Sequence, residues 1–396
     1  MTNPRRSKDA FIAAAIFLST IVLFSFDWTN GLAGGVSSVG AERVLAGKIP
    51  YRDFWTMYAP GHFYLLALIF YLFGTNLLVE IISATVVTAA AASSLYLLAR
   101  KCGGAMFLAV ATVAIFLCAM FNAGYYRYFG SYPITILLVF VSLYCLISYL
   151  YNMRLRFLFL AGLFVGAAIV TKHDVGIYTA ILSTSGLAVC HFINRRDNSD
   201  SRGASLFFQA VAIYCAGVAL LSVPVYLYFV IATGNDMVRN LVIFPLTDFP
   251  LSRPEHYPGV IPRSIRGGSN LKTFLNFTNY LCFNLPLVFV IPGLASAVIA
   301  YRKRMTVEFT LAVMFLFAFA LHYNAAHVQI NTHIISLSVY GALLGLVSLQ
   351  VFHNLCDRIG SKKLWAFGTA FASVWLTVLA AEPVHSRYLV RDQQMS

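Results

Sequence analysis

Long apolar runs divide this chain, and short polar segments separate them. A helix needs about 20 apolar residues to cross the hydrocarbon core of a bilayer. Runs near that length fall at residues 10–26, 77–99, 104–121, 132–152, 157–171, 175–193, 206–232, 281–300, 306–321, 334–352 and 364–381. The pattern predicts an all-α, polytopic membrane helix bundle of about eleven transmembrane helices, taken as a single transmembrane domain over residues 1–396. One further apolar stretch, Gly61 to Phe73, has thirteen residues. As a helix it would be about 20 Å long, too short to span without help.

Whether that stretch crosses decides the orientation of everything after it. If it does not cross and the N-terminus is cytoplasmic, the later inner loops hold thirteen basic residues: Arg100, Lys101, Arg154, Arg156, Arg195, Arg196, Arg202, Arg302, Lys303, Arg304, Arg358, Lys362 and Lys363. The short outer segments hold four: Arg127, Lys172, Arg387 and Arg391. Crossing would reverse this split against the positive-inside rule, so the non-crossing arrangement is expected. Residues 61–73 then read as an interfacial helix, with Phe63, Tyr64, Phe70, Tyr71 and Phe73 suited to the headgroup zone. The two long loops, 27–76 with this helix and 233–280, both fall on the outer side. Function is expected where the extra residues are.

Composition narrows the class. The chain is 59% hydrophobic and 11% charged, with a mean hydropathy of +0.76, against roughly 25% charged residues in soluble domains. The net charge of +13 first serves orientation, and no basic run interleaved with aromatics suggests a nucleic-acid partner. The seven cysteines include no CxxC pair, so neither a disulfide framework nor a zinc site is implied. Arg5-Arg6-Ser7-Lys8 ahead of the run from Ala10 to Phe26 reads as a retained signal anchor. No internal repeat is visible.

Five outer segments place ionisable groups at one boundary, where charge beside lipid is costly and is usually paired or functional. The first carries Asp27 at the end of the first span, a short helix expected over Ala41–Ala46 and ended by Gly47, then Arg52 and Asp53 between Pro50 and Pro60. The second is Tyr125-Tyr126-Arg127-Tyr128, and the third Lys172-His173-Asp174. The fourth holds Arg253, Arg263 and Arg266, and the fifth His322, His327 and His333. Plainer roles stand beside each. Arg52 and Asp53 can pair with one another, Lys172 can snorkel, and Asp174 can cap the next helix. The loop cations can meet anionic headgroups. Spacings of five and six put the three histidines on no common helical face, so no metal site is assigned.

The stretch Val44-Leu45-Ala46-Gly47-Lys48-Ile49-Pro50-Tyr51-Arg52-Asp53-Phe54, continuing through Tyr58-Ala59-Pro60-Gly61 to Phe70-Tyr71-Leu72-Phe73-Gly74, resembles the first outer loop of GT-C glycosyltransferases. It is similar to bacterial members of the dolichyl-phosphate-mannose mannosyltransferase-like group (glycosyltransferase 39/83). The resemblance is strong over residues 40–76 and looser to 180. It implies an inverting membrane glycosyltransferase that moves a sugar from a polyprenyl-phosphate donor to a hydroxyl on a glycan, lipid or protein acceptor, on the extracytoplasmic face of a bacterial inner membrane. A loop carboxylate would serve as base; here the family acid is replaced by Ala33-Gly34-Gly35, leaving Asp27 and Asp53 as the catalytic candidates. Donor contacts would come from Arg52, Tyr125, Arg127, Lys172, His173, Asp174, Arg253, Arg263, Arg266 and His327, since a leaving phosphate wants cationic donors. No cofactor is fixed by these residues, although a divalent metal is compatible with them. A transporter or flippase of a lipid-linked substrate, or an inactive relative that binds a polyprenyl lipid, are the other readings.

Overall fold

The computed structural model describes residues 4–26, 35–122, 125–197, 202–252, 285–325 and 330–355. These residues are almost wholly helical: α1 (Pro4–Ser25), α2 (Gly35–Leu45), α3 (Gly61–Phe73), α4 (Leu77–Lys101), α5 (Met106–Asn122), α6 (Ser131–Asn152), α7 (Leu155–Thr171), α8 (His173–Asp197), α9 (Arg202–Thr233), α10 (Asn235–Val238), α11 (Phe244–Ser252), α12 (Val290–Arg302), α13 (Thr306–Ala325) and α14 (Ile330–Leu355). Among them, seven helices are long and apolar enough to cross a membrane, and four apolar helices are shorter: Gly61–Phe73, Met106–Phe121, Leu155–Thr171 and Leu287–Arg302. The protein is an integral membrane protein with an all-α fold. The runs expected at 104–121 and 157–171 and the described part of the run at 281–300 are the shorter helices Met106–Phe121, Leu155–Thr171 and Leu287–Arg302, and the run at 364–381 lies outside the described residues.

The short helix α3 has the bounds its sequence suggests. Pro60 sets its start, and Gly74, at φ 90, turns the chain out while donating its N–H to the Phe70 carbonyl. Helix α2 begins at Gly35, six positions ahead of the expected Ala41. Its glycines are poor helix formers, but packing decides: a Cβ on Gly40 would lie 2.4 Å from the Phe63 ring, so α2 rests directly on α3. The segment 235–252, expected as loop, is helical: α10, a π-turn over Arg239–Ile243, and α11.

The chain forms two compact units. The first, residues 1–101 and 124–254, holds α1–α4 and α6–α11. Its tightest contact joins α7 to α9 through small residues, as is common where lipid offers no hydrophobic drive between helices. A Cβ on Gly162 would lie 2.1 Å from the Tyr214 carbonyl oxygen, and one on Gly166 2.4 Å from that of Val218. Helices α6 and α7 are pinned by Ser142 donating to the Ala161 carbonyl at 2.9 Å and by the Thr135–Thr171 hydroxyl pair at 2.6 Å. Helix α1 is tied to α4 by the Asp9–Arg100 ion pair at 2.9 Å. The second unit, residues 102–123 and 255–396, contains α5 and α12–α14. There Gly293 of α12 receives Leu344 of α14, and the Ser348 hydroxyl donates to Ser296. His322 and His333 meet Nδ1 to Nδ1 at 2.9 Å across α13 and α14.

Candidate functional site

One residue, Lys172, separates α7 from α8. Its backbone is extended, with φ −152 and ψ 99, which breaks the helix and turns the side chain into the first unit. The ammonium is only 8% exposed and donates to Asp174 Oδ2 at 2.9 Å. Asp174 accepts with its other oxygen from the Val175 N–H at 2.8 Å, which fixes the carboxylate at the start of α8. Burial alone would lower the Lys172 pKa. The Asp174 charge and hydrogen bond outweigh it, so the pKa is raised and the lysine stays a cation.

Three of the segments expected on the outer side meet at this cation. Tyr58 and His62 arrive from the first, Tyr125 from the second, and all three lie within electrostatic range of Lys172. Tyr128 follows Tyr125 at a ring separation of 5.2 Å. Its phenol is pushed far above the ordinary range, first by burial and then by electrostatic interaction and a hydrogen bond with Tyr125. His62 is buried, and its Nδ1 faces the Ala59 carbonyl at 2.9 Å. Burial outweighs that bond and, with the Lys172 charge, lowers the His62 pKa to about 3, so the ring is neutral. Nδ1 must then carry the hydrogen, which leaves the Nε2 lone pair as an acceptor. The Gly61 Cβ position lies 2.7 Å from Val170, so the start of α3 is pressed against the end of α7 and only glycine fits. Tyr226 of α9 closes the cluster, donating to the Ile169 carbonyl at 2.8 Å. His173 is placed beside Lys172, with a buried Nδ1 that has no hydrogen-bond partner among the described residues.

Asp53 sits in a different local setting. Its Oδ2 accepts from the Ile49 N–H at 2.7 Å, and Arg52 grips both oxygens, each at 2.9 Å. The Arg52 hydrogen bond and the Ile49 N–H hold its pKa at about 2. The turn that carries it is strained at Tyr51, which has φ 71. Tyr51 is held there by its hydroxyl, which donates to the Tyr58 carbonyl at 2.7 Å, and by the Phe229 ring at 5.6 Å. The pairing of Arg52 with Asp53, the plainer of the two sequence readings, is thus the arrangement found. Among the described residues, the hydrogen bonds and ion pair of the Asp53 side chain stay within its own turn.

Of the other expected residues, Arg127 closes the 3-10 turn Tyr125–Arg127 in the same segment as Tyr125. Asp27, Arg253, Arg263, Arg266 and His327 lie outside the described residues. Among the described residues no three His, Cys, Asp or Glu side chains gather as a metal site would require. Sequence reasoning passed over His62 and Glu80. Glu80 is fully buried at the start of α4, bonded by the Ser38 hydroxyl of α2 and by the Phe129 N–H at 3.2 Å. It ties the segment around α2 to the segment that holds Tyr125 and Phe129. A lone acid at the mouth of an apolar run was the available signal.

Residues 58–219 match the family model for dolichyl-phosphate-mannose-protein mannosyltransferase. No curated protein matches the chain. Among solved structures, an oligosaccharyltransferase of Archaeoglobus fulgidus in complex with zinc and sulfate shares 14% identity at a TM-score of 0.52, over 94% of this chain and 53% of that one. The archaeal oligosaccharyltransferase AglB of Archaeoglobus fulgidus, in complex with an inhibitory peptide and a dolichol-phosphate, shares 15% identity at a TM-score of 0.51, over 94% and 56%. A chain of the S. cerevisiae protein O-mannosyltransferase Pmt1-Pmt2 complex bound to the sugar donor aligns at 16% identity and a TM-score of 0.44, over 58% of this chain and 34% of its own. This chain therefore spans about a third of the yeast chain and just over half of the archaeal ones.

Proposed function

We propose that the chain is a membrane glycosyltransferase of the GT-C type, which transfers a sugar from a polyprenyl-phosphate donor to a hydroxyl acceptor at the extracytoplasmic face of a bacterial inner membrane; the match of residues 58–219 to the mannosyltransferase family model supports this reading. The observation that carries this reading is the buried Lys172–Asp174 pair at the point where the segments holding Tyr58, His62 and Tyr125 converge. In the proposed reaction the acceptor oxygen attacks the anomeric carbon with inversion. The bond from that carbon to the phosphate oxygen breaks, and its electron pair leaves with the phosphate. Lys172, assisted by Arg127, stabilises the negative charge gathering there. The tyrosine hydroxyls and the His62 lone pair orient sugar hydroxyls.

The acceptor proton must go to a base. Asp53 suits this poorly, because its oxygens are already bonded and its pKa of about 2 makes it a weak base. We assign the proton to Asp27 and the ordering of the first outer segment to Asp53. Incubating purified protein with a polyprenyl-phosphate sugar and candidate acceptors tests this. Asp27→Asn should reduce turnover about 100-fold or more while donor binding survives. Normal turnover by Asp27→Asn would end the assignment. Donor binding without turnover by the unaltered protein would favour the inactive relative, in keeping with Ala33-Gly34-Gly35 where the family acid is expected.

A further inference from the structure

Beside the Lys172 cluster the first unit encloses a half-open cavity of about 600 Å³. Helix α2 forms one wall with Val36 and Val39, the turn before α3 a second with Phe54 and Trp55, and α11 a third with Phe244. Val36, Val39 and Trp55 are 59%, 47% and 59% exposed, so the cavity presents apolar side chains that nothing among the described residues covers. Polar side-chain groups on the lining come from Arg43, Thr56, Tyr58 and the Trp55 indole N–H, in otherwise apolar walls. The Thr56 oxygen already accepts from the Tyr58 N–H at 3.2 Å. A sugar needs several converging hydrogen bonds, and these walls do not offer them. An apolar chain needs none.

Charge and position identify the occupant further. The Arg43 guanidinium stands 5.3 Å from the Phe54 ring centroid and, among the described residues, has no carboxylate partner. Tyr58 lines the cavity and also lies within electrostatic range of Lys172. A chain lying here therefore sets an anionic head beside Arg43 and the adjoining hydroxyls near the transfer centre. Helix α3, next to the cavity, exposes Leu68, Leu72 and Phe73 on its apolar surface, which suits entry from a bilayer. A cavity of about 600 Å³ has room for a single lipid chain.

We infer that this cavity binds an acyl chain of an anionic lipid, with its headgroup at Arg43, and that this lipid is the acceptor. The acceptor role rests on the transferase reading; occupancy by the lipid does not. The test uses the full chain in nanodiscs and a phosphatidylglycerol carrying a photoactivatable group at the end of one acyl chain, with peptide mapping of the adducts. Adducts should concentrate on Val36–Phe63 and on Phe244–Phe249. Val39→Trp, which fills the cavity from an exposed position, should cut them at least tenfold, and Val36→Trp serves as a second filling variant. Arg43→Gln should lower the preference for phosphatidylglycerol over a phosphatidylcholine analogue about fivefold. Adducts spread evenly over lipid-facing helices, or unchanged in both filling variants, would overturn the site. So would equal labelling of these peptides by a photoactivatable polyprenyl phosphate, which would give the cavity to the donor. Sugar transfer without this labelling sinks the site alone. Labelling without any sugar transfer sinks the transferase reading and the acceptor role and leaves the lipid site standing.

Discussion

Replacing Lys172 with Met removes the cation while keeping a chain of similar length. The ammonium is 8% exposed and its partner Asp174 is 26% exposed, at 2.9 Å. Removing one member of a fully buried pair costs about 3–5 kcal/mol, because the other charge is stranded. Here Asp174 keeps access to water and the Val175 N–H, so the expected loss of stability is smaller, about 1–3 kcal/mol. Asp174→Asn should cost a similar amount, and the double variant should recover part of the loss if the two charges are coupled. Donor binding is the separate readout. A charge-assisted contact to phosphate contributes about 1.5–3 kcal/mol, so Lys172→Met should weaken donor affinity roughly 10- to 150-fold. Lys172→Arg should retain most of it. The assays are thermal unfolding in detergent and donor titration well below the midpoint of each variant. A Lys172→Met protein that is less stable yet binds donor within twofold of wild type would refute the reasoning, leaving the lysine a structural ion pair.

Three further outcomes follow from the geometry. Gly166→Ala places a methyl 2.4 Å from the Val218 carbonyl oxygen and should lower stability by about 1–3 kcal/mol through overpacking of α7 on α9; an unchanged unfolding midpoint would contradict that close approach. The Asp53 pKa is depressed to about 2 from 3.8, so its contribution to folding is present above pH 3.8 and lost as pH falls toward 2. Protection of the Ile49 amide, corrected for intrinsic exchange, should therefore hold at pH 5 and collapse toward pH 2, and an amide equally protected at both would show that the carboxylate is not its anchor. A reporter fused after Arg391 should be active outside the cytoplasm if the positive-inside orientation is right, and activity confined to the cytoplasm would reverse it.

What was legible in the sequence tracks the range of the interactions involved. Helix α3 could be bounded to the residue because Pro60 and Gly74 act locally, one by fixing φ and the other by reaching φ 90. Helix α2 could not, because its residues ahead of Ala41 include glycines, and Gly40 packs against the Phe63 ring of another helix. The same contrast divides the site. Lys172, His173 and Asp174 announce themselves as an ionisable triplet at a helix end, but the Lys172–Asp174 pair depends on the extended backbone at Lys172 between α7 and α8 and was not read from their spacing. Asp53 was drawn toward catalysis by its neighbourhood, yet Arg52 and the Ile49 N–H, one and four residues away, already satisfy it. His62 carried no local mark at all. Its placement depends on Gly61 meeting Val170, more than a hundred residues along the chain, which brings the ring to Lys172. Chemistry that depends on one turn can be read from one turn. Chemistry that depends on two helices touching appears only once the glycines that let them touch have been located in space, and at this site those glycines set which acceptors stand around the cation.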